Sequence, residues 1–240
     1  MGAEATLLLG FRMTHDTRVP DQQARLTAAV ATSLEGRMLL THPFYLRWEA
    51  GELRTQELAE YAVQYRAFEA VLPTVLSTVV DQLMAEAEFE AAESVARNLA
   101  DELGRPEPHL TMFDAFAAAL PAAGSSAPGR AAEALAATYR ELAEQSPVAA
   151  IAGLAAYETQ AASIAASKGD GLRRWYGVDA DGTKFWDVHA TMDADHGEWA
   201  VEALTLLGAD ESEVADASRR AADAWWSLLD EREAEGMAVA

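Results

Sequence analysis

The sequence predicts an all-α protein, and three observations carry that prediction. Half of the 240 residues are hydrophobic, with alanine, the strongest helix former, abundant among them. Glycine and proline are sparse, at 15 and 8, and sit in clusters, which leaves long stretches free to form helices. Apolar residues recur at helical spacing in one run after another. The chain is long enough to bury a full core, and no domain boundary shows. Residues 21–236 therefore read as a single helical domain, after a leader, 1–20, expected to be flexible.

The elements follow in order. Asp21 can cap a helix over about 22–35 that turns Leu26, Ala29, Val30 and Leu34 inward, and Gly36 stops it. His42-Pro-Phe-Tyr45-Leu-Arg-Trp48 makes a short apolar helix closed by Gly51, with His42 as a cap or turn contact. Thr55 can cap a long helix with Glu57 in its first turn. Leu58, Tyr61, Tyr65, Phe68, Leu72, Val75, Leu76 and Val79 line its inner face, and Pro73 is expected to bend it without ending it. An amphipathic helix over 87–103 ends at Gly104-Arg-Pro106-Glu-Pro108, and His109 opens the next, to about 119. The run 121–129 is a loop. Helices follow over 130–145 and 147–168, the second started by Pro147 and broken by Gly169-Asp-Gly171. A helical turn at 172–176 and a turn at 177–182 lead into a helix over 185–207. Residues 210–235 make the last helix, with Trp225 and Trp226 packing inward.

A net charge of −21 argues against nucleic acid and anionic membrane surfaces as partners. The absence of cysteine excludes disulfides, thiolate metal sites and a cysteine nucleophile. Any bound metal has only nitrogen and oxygen ligands, which suits iron, manganese or zinc. No stretch reaches the ~18 uninterrupted apolar residues of a membrane span. Glu4 and the lack of a positive segment argue against a signal peptide, so a cytoplasmic location is the expectation.

The chain is organised around His189-Ala-Thr-Met-Asp193-Ala-Asp-His196. On a helix, His189, Asp193 and His196 stand at i, i+4 and i+7, within about 60° of one another. Two imidazoles and a carboxylate on one stripe make half of a metal site. Asp195 points about 120° away from His189 and reads as solvated. Glu102 and His109 flank the break at 104–108. Glu158 is the single charged side chain between Val148 and Ser167, and an ionised carboxylate in so apolar a helix is costly unless something positive meets it. Each has a plainer reading: a polar helix face, a chance Glu–His pair, a buried acid answering an arginine. Together, in a cysteine-free helical chain, they point to a carboxylate–histidine site for two metals. Read alone, Lys168 is a surface charge balancing a helix C-terminus, and Tyr45 is an ordinary core tyrosine. The tryptophans and the Tyr61–Tyr65–Phe68 stripe also read as core, and His15 falls in the leader.

The segments HPFYLRWEAGELRTQELAEYAVQY, NLADELGRPEPH, YETQAASIAASK and HATMDADH resemble, in that order, the haem-oxygenase-like dimetal oxidases. That group is related in fold to the thiaminase-II-like and pyrroloquinoline-quinone-synthase proteins. The likeness covers about 36–205 and is greatest for the p-aminobenzoate-forming branch typified by the chlamydial death-domain-associating protein. The thiaminase-like branch is argued against by the missing cysteine. The resemblance implies a seven-helix bundle holding two divalent metal ions, iron or iron with manganese. It implies Glu102, His109, Glu158, His189, Asp193 and His196 as ligands, with Glu158 bridging.

It also implies dioxygen as co-substrate, an external reductant and a homodimer. Tyr45 matches the tyrosine whose side chain becomes the aromatic product, and Lys168 the lysine that gives up its nitrogen, in a single turnover. Tyr61 and Tyr157 match tyrosines near the family's site that relay electrons. Phe185 stands where the chlamydial protein has a tyrosine. Glu69, on the helix that supplies an extra acid in some dimetal N-oxygenases of this fold, falls one residue out of register and is left outside the ligand set. Two other functions compete. One is a dimetal oxidase or N-oxygenase acting on an external amino-acid-like substrate with many turnovers. The other is a non-enzymatic helical partner-binding protein with a vestigial site.

Overall fold

The computed structural model describes residues 18–104, 107–123 and 127–238, with only the backbone described at 18–20, 193 and 194. The leader up to residue 17, with His15, lies outside them. Among the described residues there are ten α-helices, one 3₁₀ turn at Leu39–Thr41 and no strand. The helices are α1 (Arg18–Ser33), α2 (Pro43–Ala50), α3 (Thr55–Glu69), α4 (Leu72–Ala85), α5 (Phe89–Gly104), α6 (His109–Ala118), α7 (Arg130–Gln145), α8 (Pro147–Trp175), α9 (Ala180–Leu206) and α10 (Glu211–Ala238). With the short α2 and α6 set aside and α3–α4 taken as one broken rod, seven long rods remain.

The all-α expectation holds, and several boundaries follow from local chemistry. Gly36 and Gly51 take the left-handed conformation after α1 and α2, at φ 70° and 73°, which favours glycine. His42 is the N-cap of α2, its Nδ1 accepting from the Phe44 N–H at 3.1 Å. Asp179 caps α9 by accepting from the Gly182 N–H.

Three expectations need correction. α1 starts at Arg18, so Asp21 lies within its first turn, paired with Arg25 one turn on, and does not cap it. Pro20 is tolerated there because the first N–H groups of a helix have no intrahelical acceptor. The long helix does not merely bend at Pro73. It stops at Glu69 and restarts at Leu72, since the proline ring clashes with the carbonyl four residues back, that of Glu69 itself. Third, α8 runs without a break through Gly169-Asp-Gly171 to Trp175. Gly171 serves close packing: a Cβ there would stand 2.8 Å from Trp48 Cδ1.

α8 is the central rod, paired most extensively with α9 and then with α10. One hydrophobic cluster runs through the bundle, with members from Leu26 in α1 to Leu229 in α10. Among the described residues the run Thr55–Ala85 is long and apolar enough to cross a membrane by length and composition, but it is the broken α3–α4 rod and carries buried Glu57 and Glu69.

Candidate active site

α9 turns His189 and His196 inward, and α5, α6 and α8 meet them with Glu102, His109 and Glu158. All five side chains are buried. Glu102, His109 and His189 offer ligand atoms within 4.8 Å of one another. The break after α5 allows this, because it folds α6 back so that His109, at its first position, faces the end of the helix that carries Glu102. His109 Nδ1 lies 2.9 Å from Glu102 Oε1, and the His109 and His189 rings are 4.4 Å apart between centroids.

The hydrogen bonds set which imidazole nitrogen is free. His189 Nδ1 is 2.7 Å from the Phe185 carbonyl, which can only accept, so Nδ1 carries the proton and Nε2 keeps its lone pair. Burial, then the neighbouring His109, pushes the His189 imidazolium well below its ordinary range. His109 donates through Nδ1 to Glu102, which leaves its Nε2 buried with no hydrogen-bond partner among the described residues. An orphaned lone pair inside a dry core is costly unless a cation meets it. The donor set therefore fits a divalent metal of the nitrogen- and oxygen-loving kind.

Glu158 and His196 complete one side. His196 Nδ1 lies 3.6 Å from Glu158 Oε2, while its Nε2 faces Asp101 Oδ2 at 3.3 Å. Asn98 Nδ2 donates to Glu158 Oε1 at 3.2 Å. Asp101 and Asn98 thus orient two of the expected ligands, in the arrangement that metal-binding histidines and carboxylates ordinarily have. Asp193 belongs to α9, but its side chain lies outside the described ones. Asp195 is exposed, as expected.

The second constellation surrounds Lys168. Far from being a surface charge at a helix end, it retains 1% of its surface, because α8 continues past it and Trp48, Tyr45, Tyr61, Tyr65 and Trp186 enclose it. Its Nζ donates to Tyr45 Oη at 2.7 Å and to Tyr61 Oη at 2.5 Å, and the two phenol oxygens are 2.7 Å apart. Burial drives the Lys168 ammonium well below its usual range, toward a neutral amine. The same burial pushes the Tyr45 and Tyr61 phenols up, which keeps them protonated.

Between the two constellations stand residues that sequence reasoning read as core or left out. Tyr65 Oη is 2.6 Å from Tyr157 Oη, and its ring lies 5.6 Å from Tyr61 and 6.3 Å from Phe185. Glu69 retains 3% of its surface, with Oε2 unpartnered. Burial first, and the charge of Glu102 second, raise its carboxyl well above the ordinary range; a hydrogen bond with Tyr65 opposes this, Glu158 adds to it and Lys168 opposes it. An acid in the last turn of an otherwise aromatic and apolar helix face was the available signal.

The family model described as "Iron-containing redox enzyme" matches residues 59–226. The chain belongs to this family. A 4-aminobenzoate synthase of Nitrosomonas europaea is 37% identical over 216 residues, covering 84% of this chain and 88% of that one. A protein of the same name from Chlamydia pneumoniae is 28% identical over 203 residues, with 82% and 89% covered. Two solved structures share the fold at 16% identity. One, a CADD-like protein of unknown function from Nostoc punctiforme, has a TM-score of 0.72 with 91% of this chain and 98% of that one covered. The other, a TenA homologue from Pseudomonas syringae, has a TM-score of 0.68 with 90% and 91% covered. As a member of the iron-containing redox enzymes with the haem-oxygenase-like fold, the chain is an oxidoreductase with a candidate metal site at Glu102, His109 and His189.

Proposed function

We propose that the chain makes p-aminobenzoate from its own Tyr45 side chain, with nitrogen from Lys168, in a dioxygen-dependent single turnover. The observation that carries this reading is the 2.7 Å contact between Lys168 Nζ and Tyr45 Oη inside a closed aromatic cage. A neutral amine with two hydrogens can donate to both phenol oxygens and keep its lone pair beside the ring carbon. There the C–O bond must break with the oxygen leaving as water, the C–N bond form, and the Lys168 Cε–Nζ bond then break to leave the nitrogen on the ring. The cage excludes water, which would compete with the amine at that carbon. Cutting Tyr45 between Cα and Cβ releases the ring together with the carbon that must become the carboxylate. The relatives named 4-aminobenzoate synthase support the product.

Glu102, His109, Glu158, His189, Asp193 and His196 would hold two divalent ions, iron or iron with manganese. When bound, such ions supply Lewis acidity and electrons for the reduction of dioxygen. Phe185, Asp101 and Asn98 hold His189, His196 and Glu158 in place. Tyr61, Tyr65 and Tyr157 line the way between the ligand cluster and Tyr45 and would pass electrons along it, drawn in the end from an external reductant. The proposed assembly is a homodimer.

The test is anaerobic loading with iron and manganese, exposure to oxygen, and intact-protein mass spectrometry beside product analysis. Residue 45 is expected to lose mass in step with p-aminobenzoate formed, and Tyr45→Phe is expected to form none. Undiminished product from Tyr45→Phe, or many turnovers with residue 45 intact, would transfer the case to an external substrate.

A further inference from the structure

The described side chains of the ligand cluster are buried, yet one of them, Glu158, lines a void that opens outward. A groove of about 390 Å³ between α1, α8 and α9 is lined by Gln23, Thr27, Glu158, Thr159, Ser163 and Glu198, with small apolar side chains between them. We propose that this groove is the port through which hydrated divalent metal ions reach the site, with Glu198 at its rim and Glu158 at its floor. The inference rests on Glu158 being a metal ligand.

Three observations point to a cation. Among the described residues the lining offers carboxylate, hydroxyl and amide oxygens and no lysine or arginine, so an anionic or amino-acid-like molecule finds no counter-charge among them. Oxygen donors can replace the shell of a hard divalent ion step by step. The void that His196 lines, with Leu76, Val95, Ile151 and Leu154 beside Ser94 and Asn98, is only about 10 Å³, too small for a hydrated ion. The floor is narrow because α9 crosses α8 closely at Gly197, where a Cβ would sit 3.3 Å from Thr159 Cα and 3.4 Å from the Glu158 carbonyl. The Glu158 side chain still keeps 6% of its surface, against 1% for His196.

The absence of cysteine allows the port to be closed after folding. Ser163 is exposed on the groove wall, so Ser163→Cys introduces the single thiol of the chain. The full-length variant is labelled with a trimethylammonium-bearing or a sulfonate-bearing methanethiosulfonate reagent. Manganese(II) uptake is followed by the loss of the free-ion electron paramagnetic resonance signal, and final metal content by dialysis and elemental analysis. We expect the cationic label to slow uptake at least tenfold, the anionic label to slow it less, and removal of either label by reductant to restore the rate. Final stoichiometry is expected to stay unchanged throughout. Thr32→Cys, in the separate groove between α1 and α10, is expected to show no effect with either label. Equal rates for labelled and unlabelled Ser163→Cys, with full final loading, would overturn the port and leave the ligand assignment standing. If the parent takes up no manganese, or Glu158→Ala loads as fully as the parent, the ligand reading fails and the port with it.

Discussion

Around Lys168, donors and acceptors are matched: one amine serves two phenol oxygens, the phenols touch each other, and aromatic faces close the space. Around His109, the protein instead leaves a buried imidazole nitrogen with no hydrogen-bond partner among the described residues, within reach of ligand atoms of Glu102 and His189. Both places are dry and both are built on α8 or against it. They differ in what they need. The cage has its hydrogen bonds made as it folds, whereas the cluster keeps a buried imidazole nitrogen that a cation would meet. A pocket that is finished in the folded chain suits a group that is itself the reactant, and an unfinished one suits a loaded ion.

The largest test of that contrast is to break one side and read the other. His109→Ala is expected to lose at least one of the two proposed ions after dialysis and to form no p-aminobenzoate. Lys168→Met, by contrast, is expected to keep full metal content by elemental analysis. Asn98→Leu removes only the hydrogen bond that orients Glu158, so metal affinity is expected to fall about 10–100-fold with stoichiometry unchanged in a titration followed by calorimetry.

Smaller effects lie in stability. Lys168 has a folded-state pKa depressed by burial, so below its unfolded value of 10.5 the unfolded chain takes up a proton that the folded chain refuses. Stability therefore rises with pH up to about 10.5 on account of this one group. Lys168→Met is expected to raise the melting temperature by about 4–8 °C at pH 7, roughly 2 kcal/mol, with the gain shrinking as pH approaches 10.5. Glu69 works in the opposite sense. Its raised pKa means that the metal-free protein loses stability as pH climbs above the ordinary carboxyl value of 4.5. Glu69→Gln is expected to raise the melting temperature of metal-free protein by about 2–4 °C at pH 7 and by nothing near pH 4, as read by differential scanning calorimetry. An unchanged melting curve at pH 7 would show that the Glu69 carboxyl has found a partner in solution.

Much of this was legible in the sequence. Left-handed glycines after α1 and α2, the His42 cap, and the shared inward face of His189 and His196 on α9 all arise from local periodicity or interactions within a few residues, which leave a local pattern. The continuity of α8 was not legible, because Gly169 and Gly171 look like helix breakers until Trp48 is seen pressed against Gly171. The break at 70–71 was misplaced because apolar periodicity passes through it, while the proline clash falls four residues upstream. Tyr65 and Glu69 sit on a face that periodicity assigns to the interior. Periodicity says that a side chain is inside, and it is silent on which acid or phenol waits there.

The unbroken run of α8 acts as a ruler. Glu158 and Lys168 are ten residues apart on one rigid rod, about 15 Å along its axis. No hinge between them can shorten that span. In the proposed reaction the oxidising end and the nitrogen-giving end must therefore communicate by electrons and protons handed between fixed stations, and the reacting ring stays where folding put it.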